Sequence, residues 1–238
     1  MSSAAYLYPG DELDLFAHAR NWKRYWTSTI GLFVRGDVLE VGAGIASNTR
    51  LMLGPDVRSW LCLEPDRRLV ERLNDVIAAD PALARCRVAE GTVAGLDASL
   101  FFDAIVYIDV LEHIEDDRGE LRQAAARLKP GGSLIVLSPA HQWLYTDFDR
   151  AIGHCRRYSR RALADISPPS TNLHRLFYLD SVGLLVSGSN RFLLKSAMPT
   201  LGQIKFWDRF IVPCSSVVDC LTRHSVGKSV VAIWERAT

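Results

Sequence analysis

Residues 37–49 read DVLEVGAGIASNT, and this stretch decides the fold. An apolar run predicts a buried strand, and Gly42 with Gly44 predicts a tight turn after it. A helix is expected to follow, with Ser47 or Asn48 as its cap. Glycine suits the turn because the backbone must bend sharply and a ligand must approach it without a Cβ in the way. The pattern predicts the first strand–turn–helix unit of a doubly wound α/β sheet, where ligands bind at the carboxyl ends of strands.

The charge beside this turn argues against a dinucleotide. Glu40 places a carboxylate at the end of the strand, where it would repel a pyrophosphate. The third glycine of a dinucleotide fingerprint is also missing, since Ala46 and Ser47 occupy the positions where it could fall. An acid at this place suits a cationic ligand, and S-adenosylmethionine carries both an ammonium and a sulfonium. The alternative is that Glu40 only ends a solvated strand.

A second acid follows at the spacing of a nucleoside site. The short apolar strand SWLCL at 59–63 is followed directly by Glu64, which lies 22 residues after Gly42. In this architecture an acid about 20 residues past the glycine turn accepts hydrogen bonds from ribose hydroxyls. One carboxylate can accept from both hydroxyls of a diol. We therefore predict Glu64 as the ribose ligand and Asp66 as the cap of the next helix.

Hydrophobic patterning along the chain predicts seven strands in all. They are placed at 38–41, 59–63, 85–89, 102–108, 133–137, 172–178 and within 226–236. The segment KPGG at 129–132 is predicted as a turn before the fifth strand. A helix over 11–34 is expected before the first strand, with a break near 27–29.

Five motifs occur together, in one order. They are VLEVGAG at 38–44, LEPD at 63–66, EGT at 90–92, FDAIVYIDVLEHIED at 102–116 and LKPGGSLIVLSPA at 128–140. In combination, over about half of the chain, they resemble the class I S-adenosylmethionine-dependent methyltransferases of small molecules. The resemblance implies a Rossmann-like three-layer α/β sandwich. Its seven-stranded sheet is mostly parallel with the last strand antiparallel, and helices cover both faces. Ala46 departs from the pattern, because family members often carry glycine there.

The resemblance also implies which residues hold the cofactor, which would leave as S-adenosylhomocysteine. Gly91 would let the backbone approach the adenine, and Thr92 would hydrogen-bond its edge, although a plain strand-to-loop turn is the alternative. The full predicted set is Glu40, Val41, Gly42, Ala43, Gly44, Glu64, Pro65, Gly91, Thr92, Val93, Asp109, Val110 and His113.

The candidate catalytic groups lie in the irregular stretch 139–158, PAHQWLYTDFDRAIGHCRRY. Methyl transfer from a sulfonium is an in-line displacement, so positioning supplies most of the catalysis, but an alcohol or phenol also needs a base. We predict His141 or His154 as that base. Asp147 or Asp149 would orient a histidine or bind an amine, whereas the alternative is a surface loop held by salt bridges. The residues predicted to contact the acceptor are Tyr145, Arg157 and Tyr158.

A metal site is the alternative to this interpretation. Asp109, Glu112 and His113 give D-x-x-E-H, which resembles the E-x-x-E-H of ubiquinone-pathway O-methyltransferases and small-RNA 2′-O-methyltransferases. Such a set could hold Mg²⁺ with a fourth ligand from His141 or His154. Many relatives with the same LEH string use no metal, so no metal site is predicted. His113 is instead expected to pack beside the cofactor or to cap a helix.

Composition and net charge indicate which partners and which cellular location to expect. The net charge of +1 gives no overall field for nucleic acid. Five widely spaced cysteines without C-x-x-C, and a start without a signal pattern, favour a cytoplasmic protein. A methyltransferase for RNA or protein, or a non-catalytic protein with a cofactor fold, stays as an alternative function.

We expect one methyltransferase domain over residues 1–238. Its parts are a helical cover at 1–36, a cofactor-binding half at 37–138 and a substrate-side half at 139–238, with insertions at 139–160 and 184–223.

The second insertion is more apolar than a methyltransferase core requires. Its apolar members are Leu184, Leu185, Phe192, Leu193, Leu194, Phe206, Trp207, Phe210 and Ile211. They would pack against the sheet and a homodimer partner, or form a wall for a hydrophobic acceptor or a surface resting on a membrane. We predict a small organic acceptor with an apolar part and no nucleic-acid partner.

Overall fold

The computed structural model describes residues 12–193 and 200–238, without the side chains of Glu12 and of 190–193. Its strands form a sheet of order β3-β2-β1-β4-β5-β7-β6. They are β1 (Gly36–Val41), β2 (Val57–Glu64), β3 (Cys86–Glu90), β4 (Phe102–Ile108), β5 (Leu128–Pro139), β6 (Thr171–Leu179) and β7 (Ser229–Arg236). Strands β1 to β5 pair in parallel, and β7 runs antiparallel to both β5 and β6. The predicted seven-stranded sheet with an antiparallel last strand is confirmed.

Helices cover both faces of the sheet. They are α1 (Glu12–Phe16), α2 (Arg20–Ile30), α3 (Thr49–Met52), α4 (Arg67–Ala79), α5 (Asp117–Ala126), α6 (Asp147–Ala151), α7 (Arg160–Asp165), α8 (Ser181–Leu193), α9 (Leu201–Phe206) and α10 (Val212–Leu221). A π-helical segment, Trp207–Ile211, joins α9 to α10.

Alternation along the strands divides the core into two apolar layers. Val38 of β1 packs with Trp26 of α2 on one face, while its neighbour Leu39 packs with Leu121 of α5 on the other. Successive strand residues point to opposite faces, so a strand covered on both sides must be apolar throughout. Residues 104–107 of β4 are fully buried for this reason.

The predicted turn at 129–132 is wrong, because these residues belong to β5 as a bulge. Leu128 pairs with Phe102 and Ser133 pairs with Ala104, so four residues stand opposite Asp103 alone. Gly131 takes a φ of +71° within this irregularity. Glycine allows the bulge here because it adopts positive φ without strain.

The break in the N-terminal helix also falls elsewhere. It lies at 17–19, between α1 and α2, and α2 continues through 27–29. The hydroxyls of Thr27, Ser28 and Thr29 donate to carbonyls three or four residues earlier, so these residues remain helical.

Of the two predicted helix caps, the structure contains one. Asp66 caps α4 as predicted, since its carboxylate accepts from Arg68 N at 2.9 Å. Asn48 precedes α3, but within the described residues its side chain makes no capping hydrogen bond. The Ser47 hydroxyl instead accepts from Lys23 Nζ.

Some predictions fall outside the described residues. These are the arm at 1–10, Leu194, and the side chains of Phe192 and Leu193. Within 12–193 and 200–238, no helix is long and apolar enough to cross a membrane. The cytoplasmic location stays a prediction.

Candidate active site

A cavity of about 1320 Å³ opens at the carboxyl edge of the parallel strands. Gly42 to Gly44 after β1, Glu64 at the end of β2, Gly91 after β3 and Asp109 after β4 line one side. Residues of α2, of the loop that follows β5, and of α8 and α9 also line it. The topology therefore brings together residues that lie far apart in the chain, as expected for a sheet of this type.

The glycine turn is fixed by backbone conformation and by its neighbours. Gly42 and Gly44 have φ values of +68° and +57°, where side chains introduce strain. A Cβ on Gly42 would lie 2.6 Å from Val110 Cγ2, and one on Gly44 would lie 3.6 Å from Leu13 Cδ1. At Gly42, glycine therefore makes room for Val110, which itself lines the cavity, rather than directly for a ligand.

Glu64 connects this turn to β2. Its Oε2 accepts from Gly44 N at 2.9 Å and its Oε1 accepts from Asp66 N at 3.1 Å. Burial raises the pKa of the Glu64 carboxyl, and the two backbone N–H groups partly offset that rise. Pro65, Gly91 and Thr92 line the cavity beside it. The carboxylate is thus held in one orientation at the cavity wall.

Glu40 and Val93, two of the predicted cofactor residues, lie outside the cavity lining. Glu40 is only 2% exposed, and its Oε2 accepts from Thr49 Oγ1 at 2.6 Å and Trp60 Nε1 at 2.9 Å. Burial raises its pKa to about 7. Glu40 therefore ties β1 to α3 and β2 beneath the turn and is not a solvated strand end. Val93 is buried in the apolar core.

His154 lies in the cavity wall between two carboxylates. Its Nδ1 is 3.0 Å from Asp149 Oδ1 and its Nε2 is 3.8 Å from Glu112 Oε1. Burial alone would lower the pKa of His154, but the hydrogen bond to Asp149 and the charge of Glu112 outweigh it, so the pKa is raised. A carboxylate accepts only, so Nδ1 carries a proton, and in the neutral imidazole Nε2 keeps the lone pair that can accept one.

Glu112 and His113 complete this cluster. Glu112 is fully buried, and its Oε2 accepts from Ser138 Oγ at 2.9 Å. Desolvation and the nearby charge of Asp109 raise the pKa of Glu112 to about 8. The His113 ring lies 4.6 Å from that of His154, and burial lowers the His113 pKa to about 4. His113 is therefore neutral at physiological pH.

The same cluster has the spacing of metal ligands. Glu112, His113 and His154 each offer one ligand atom, and these atoms lie within 4.8 Å of one another. Among the residues that the structure describes, Asp109 and His141 are not members of such a group. The D-x-x-E-H motif therefore contributes two of its three residues, and His154 contributes the third.

His141 and Tyr158 are not brought to the cavity. His141 Nε2 lies 3.0 Å from Gly227 O, and its ring stacks on Tyr178 with 5.0 Å between centroids. The buried Tyr158 hydroxyl donates to Asp117 Oδ2 at 2.8 Å. Both residues lie outside the cavity lining.

The other candidates from this loop do line the cavity. Tyr145 donates its hydroxyl to His154 O at 2.6 Å, and Arg157 donates to both Asp149 oxygens at 2.8 and 2.9 Å. Asp147 is mostly solvent-exposed and pairs with Arg150. Asp149, and not Asp147, is therefore the carboxylate that orients His154.

Two lysines in the cavity wall were not among the predicted site residues. Lys23 of α2 is only 7% exposed, although lysine side chains are usually solvated. Lys228 lies beside Asp180, with Nζ 3.5 Å from Oδ2 and 4.3 Å from the centre of the Trp207 ring. The aromatic residues around Lys23 in the sequence were the one sign that Lys23 is buried, because aromatic residues place part of α2 against the core.

Comparison with known proteins identifies the family of this chain. A family model described as a methyltransferase domain matches residues 16–167. A demethylmenaquinone methyltransferase of Tropheryma whipplei is 29% identical over 133 residues, covering 53% of this chain and 51% of that protein. A ubiquinone biosynthesis O-methyltransferase of Xanthomonas campestris pv. campestris is 33% identical over 101 residues, covering 42% and 41%. The matched part of this chain spans about half of the length of the first relative and less than half of the second.

Solved structures share the fold over most of the chain. Coclaurine N-methyltransferase, solved with N-methylheliamine and S-adenosylhomocysteine, has a TM-score of 0.62 to this chain at 12% identity. The match covers 91% of this chain and 71% of that one. At this identity the likeness shows a common fold.

Proposed function

Because this chain belongs to the methyltransferase family whose model matches residues 16–167, we propose that it is an S-adenosylmethionine-dependent methyltransferase. Its acceptor is an oxygen or nitrogen atom of a small organic molecule. One observation carries the proposal: a single cavity is lined by the glycine turn, by Glu64 and by the imidazole of His154. Calorimetry with S-adenosylhomocysteine tests the cofactor half, with one bound molecule per chain as the expected result.

Residues at the carboxyl edge of the sheet would hold the cofactor. Gly91 and Thr92 would contact its adenine, and Glu64 would accept from its ribose hydroxyls. The glycine turn and Asp109 would hold its methionine part. Asp109 lines the cavity and is surrounded by protein. The resulting desolvation raises the pKa of its carboxyl to about 6. An ammonium group beside Asp109 favours its ionised form.

The reaction is a displacement at the methyl carbon. A lone pair of the acceptor attacks that carbon while the carbon–sulfur bond breaks, and the bonding pair goes to sulfur. The sulfonium becomes the neutral thioether of S-adenosylhomocysteine. His154 Nε2 takes the proton of the acceptor, and Asp149 with Glu112 stabilises the imidazolium that forms. A neutral amine acceptor would lose its proton to the same nitrogen after the transfer.

The three parts of the chain divide this work. Residues 1–36 cover the cofactor, 37–138 bind it and 139–238 receive the acceptor. The lining supports the division, since Trp22, Glu64 and His154 come from different parts and meet in one cavity.

We expect Glu64→Ala to weaken the binding of S-adenosylhomocysteine about tenfold or more. The variant loses the ribose bonds to a charged acceptor, each worth about 1.5–3 kcal/mol, and frees Gly44 N. Calorimetry measures the change. Glu71→Ala is the matched control, because Glu71 is exposed on α4 and pairs only with Arg67 among its described neighbours. Equal affinity of Glu64→Ala and wild type would contradict the placement of the ribose.

The acceptor proposed here has an apolar part. Phe206 is 57% exposed and lines the mouth of the cavity. From it an exposed stripe, which we call the α9–α10 stripe, follows the helical segment at three- to four-residue spacing. Its members are Phe206, Phe210, Cys214, Val217 and Leu221. An exposed apolar stripe that begins at a cavity supports delivery of an apolar acceptor from a membrane surface or another apolar partner.

The charges beside the stripe support an anionic membrane as that surface. Lys205 and Arg209 are exposed on the same helical segment. Its two acids, Asp208 and Asp219, are instead buried, where they accept from Trp22 N and from Tyr25 Oη. The exposed side of this segment is thus apolar and basic, which suits peripheral binding to anionic lipid.

We expect the protein to sediment with vesicles that contain phosphatidylglycerol, and less with pure phosphatidylcholine vesicles. Phe210→Asp should lower the bound fraction about tenfold, since it adds a charge to the stripe. Leu32→Asp is the control, because Leu32 is exposed outside the stripe. Failure to sediment would contradict membrane contact. A dimer in solution that Phe210→Asp dissociates would assign the stripe to a second copy of the chain.

A further inference from the structure

Lys228, immediately before β7, contributes a cation to the cavity wall. Its side chain is 27% exposed, and its Nζ lies 4.3 Å from the centre of the Trp207 ring. Among the described residues, only Asp180 has a carboxylate oxygen within 4.0 Å of this nitrogen. That distance is 3.5 Å, which exceeds the length of about 2.7–2.9 Å that is usual for a charge-assisted hydrogen bond.

Asp180 is hydrogen-bonded by other donors. Its Oδ1 accepts from Ser215 Oγ at 2.6 Å and from Gly183 N at 3.0 Å, and its Oδ2 accepts from Trp207 Nε1 at 2.9 Å. Asp180 is fully buried and lies outside the cavity lining, whereas Lys228 is part of that lining. Asp180 therefore holds α8, α10 and Trp207 together, and the three N–H donors of the ammonium remain for a group in the cavity.

The backbone fixes the position of Lys228. Its N donates to Asp180 O at 3.1 Å, and its O accepts from Ala140 N at 2.7 Å. A Cβ on the preceding Gly227 would collide with Leu179 O, so glycine allows this close approach. The lysine is thus anchored between the end of β5 and the start of α8, as a preformed binding group requires.

The strand order places Lys228 beyond the predicted cofactor residues. Those residues lie at the ends of β3, β2, β1 and β4, which are consecutive neighbours in the sheet. Strand β7 lies two places further along, about 10 Å from β4 at about 4.8 Å per strand. Because β7 is antiparallel to β5, its first residue pairs with Pro139, and Lys228 lies at the same edge as the cofactor residues. Lys228 therefore lies on the acceptor side of the proposed cofactor.

The arginines in the wall near the loop after β5 are already paired. Arg157 donates to both oxygens of Asp149, and Arg150 pairs with Asp147. The apolar part of the wall on the side of α8 and α9 includes Val186, Ile204, Phe206 and Trp207. One ammonium beside an apolar wall matches a ligand with a single negative charge and an apolar part. A phosphate dianion would exceed the charge of one lysine.

We propose that the acceptor carries a carboxylate, separate from the atom that is methylated, and that Lys228 binds this carboxylate. Trp207 packs against the apolar part of the same molecule. An acceptor anchored at its charged end has fewer orientations, so its attacking atom is held toward the methyl carbon. This inference rests on the proposed function, because it narrows the class of acceptor.

The competing occupant is the α-carboxylate of the cofactor. Desolvation raises the pKa of Asp109, and the charges of His154, Lys23 and Lys228 partly offset that rise. Lys228 is thus also within electrostatic reach of the residue that would hold the methionine part of the cofactor. The experiments must therefore measure acceptor and cofactor separately.

The first experiment examines the methylated product. The purified protein is incubated with methyl-labelled cofactor and the small molecules of a cell extract, and the labelled product is heated in acidic deuterated methanol. This treatment adds a trideuteromethyl group to a carboxyl group but not to a phosphate ester. Mass spectrometry should show that the labelled product gains one such group. A product that gains none would overturn the proposal, as would one that exchanges its label, because the enzyme would then have methylated the carboxylate itself.

The second experiment removes the cation. Lys228→Met keeps an apolar side chain of similar length, and half-maximal rate should then need about 10- to 100-fold more of the active extract fraction. The rate at saturation should stay within about threefold, and the affinity for S-adenosylhomocysteine, measured by calorimetry, within about twofold. Lys228→Arg should restore part of the loss, because it keeps the charge. Lys228→Gln replaces Lys228→Met if thermal unfolding shows that the latter does not fold.

Arg161→Met is the matched control. It also removes a long cationic side chain, but Arg161 is exposed on α7, outside the cavity lining, and pairs only with Asp165 among its described neighbours. Its half-saturation and its affinity for S-adenosylhomocysteine should equal those of wild type.

Each outcome has one meaning. A higher half-saturation for the acceptor with unchanged cofactor affinity supports the proposal. Weaker binding of S-adenosylhomocysteine by Lys228→Met would assign the lysine to the cofactor. A lower rate at saturation with unchanged half-saturation would make its role structural, and no change would remove it from the site; all three results overturn the proposal. If wild type labels no small molecule, the proposed function fails and this inference fails with it.

Discussion

His154→Ala should lower the rate of methyl transfer to an alcohol or phenol by about 10²–10⁴-fold while S-adenosylhomocysteine binds with unchanged affinity. The variant removes the nitrogen that accepts the proton, but it leaves the glycine turn and Glu64 in place. Neighbouring carboxylates raise the pKa of His154, and only the neutral imidazole is a base. The wild-type rate should therefore rise as the pH increases through that raised pKa.

His141→Ala is the matched control. Both histidines come from the same loop, but His141 bonds to Gly227 O and lies outside the cavity lining, so the rate should change by less than about threefold. A loss of rate in His141→Ala alone, in a folded protein, would contradict the account.

A chelator distinguishes a base from a metal ligand. With His154 as the base, activity persists in EDTA. Inactivation by EDTA that Mg²⁺ reverses would instead assign Glu112, His113 and His154 as metal ligands.

Gly42→Val should reduce the affinity for S-adenosylhomocysteine about 100-fold or more. The new Cβ would meet Val110 Cγ2 at 2.6 Å, and the branched side chain must also adopt a φ of +68°. Positive φ at a non-glycine residue costs about 1–2 kcal/mol, so the melting temperature should fall as well. Displacing Val110 reshapes the cavity wall on which the cofactor rests.

Two further variants interpret that result. Gly54→Val is the control, because a Cβ at Gly54 meets nothing described within 4 Å. Gly42→Ala tests the same position with a smaller side chain, in case Gly42→Val does not fold. Wild-type affinity in a folded Gly42→Val or Gly42→Ala protein would show that this turn does not contact the cofactor.

The sheet and its ligand edge were predictable from sequence because their signals are local. The fourth strand was predicted with its observed bounds. A short, continuous apolar run such as 102–108 is typical of a parallel strand that is covered on both faces. The glycine turn and Glu64 were predictable for the same reason: strand order alone brings them together.

The catalytic loop was less predictable, because its side chains are positioned by tertiary contacts. Asp149 and Asp147 are two residues apart, and only the orientation of α6 decides that Asp149 faces His154. Likewise, His141 is directed away by Gly227, which lies 86 residues further along the chain. The spacing of residues in the sequence does not predict such contacts.

Buried polar residues were the other source of error. The ionisable side chains of Glu40 and Lys23 are buried, although such side chains are usually exposed. Their burial depends on partners that the pattern does not reveal, Trp60 for Glu40 and Ser47 for Lys23.

The central claim is that a methyl group moves from S-adenosylmethionine to a small organic acceptor. The most direct measurement incubates the purified chain with methyl-labelled cofactor and a fractionated cell extract, beside the His154→Ala variant. We predict label in the small-molecule fraction that partitions into organic solvent, formed with an equal amount of S-adenosylhomocysteine and at least about 100-fold more slowly by the variant. Label found only in RNA or protein, or no transfer in any fraction, would contradict the account.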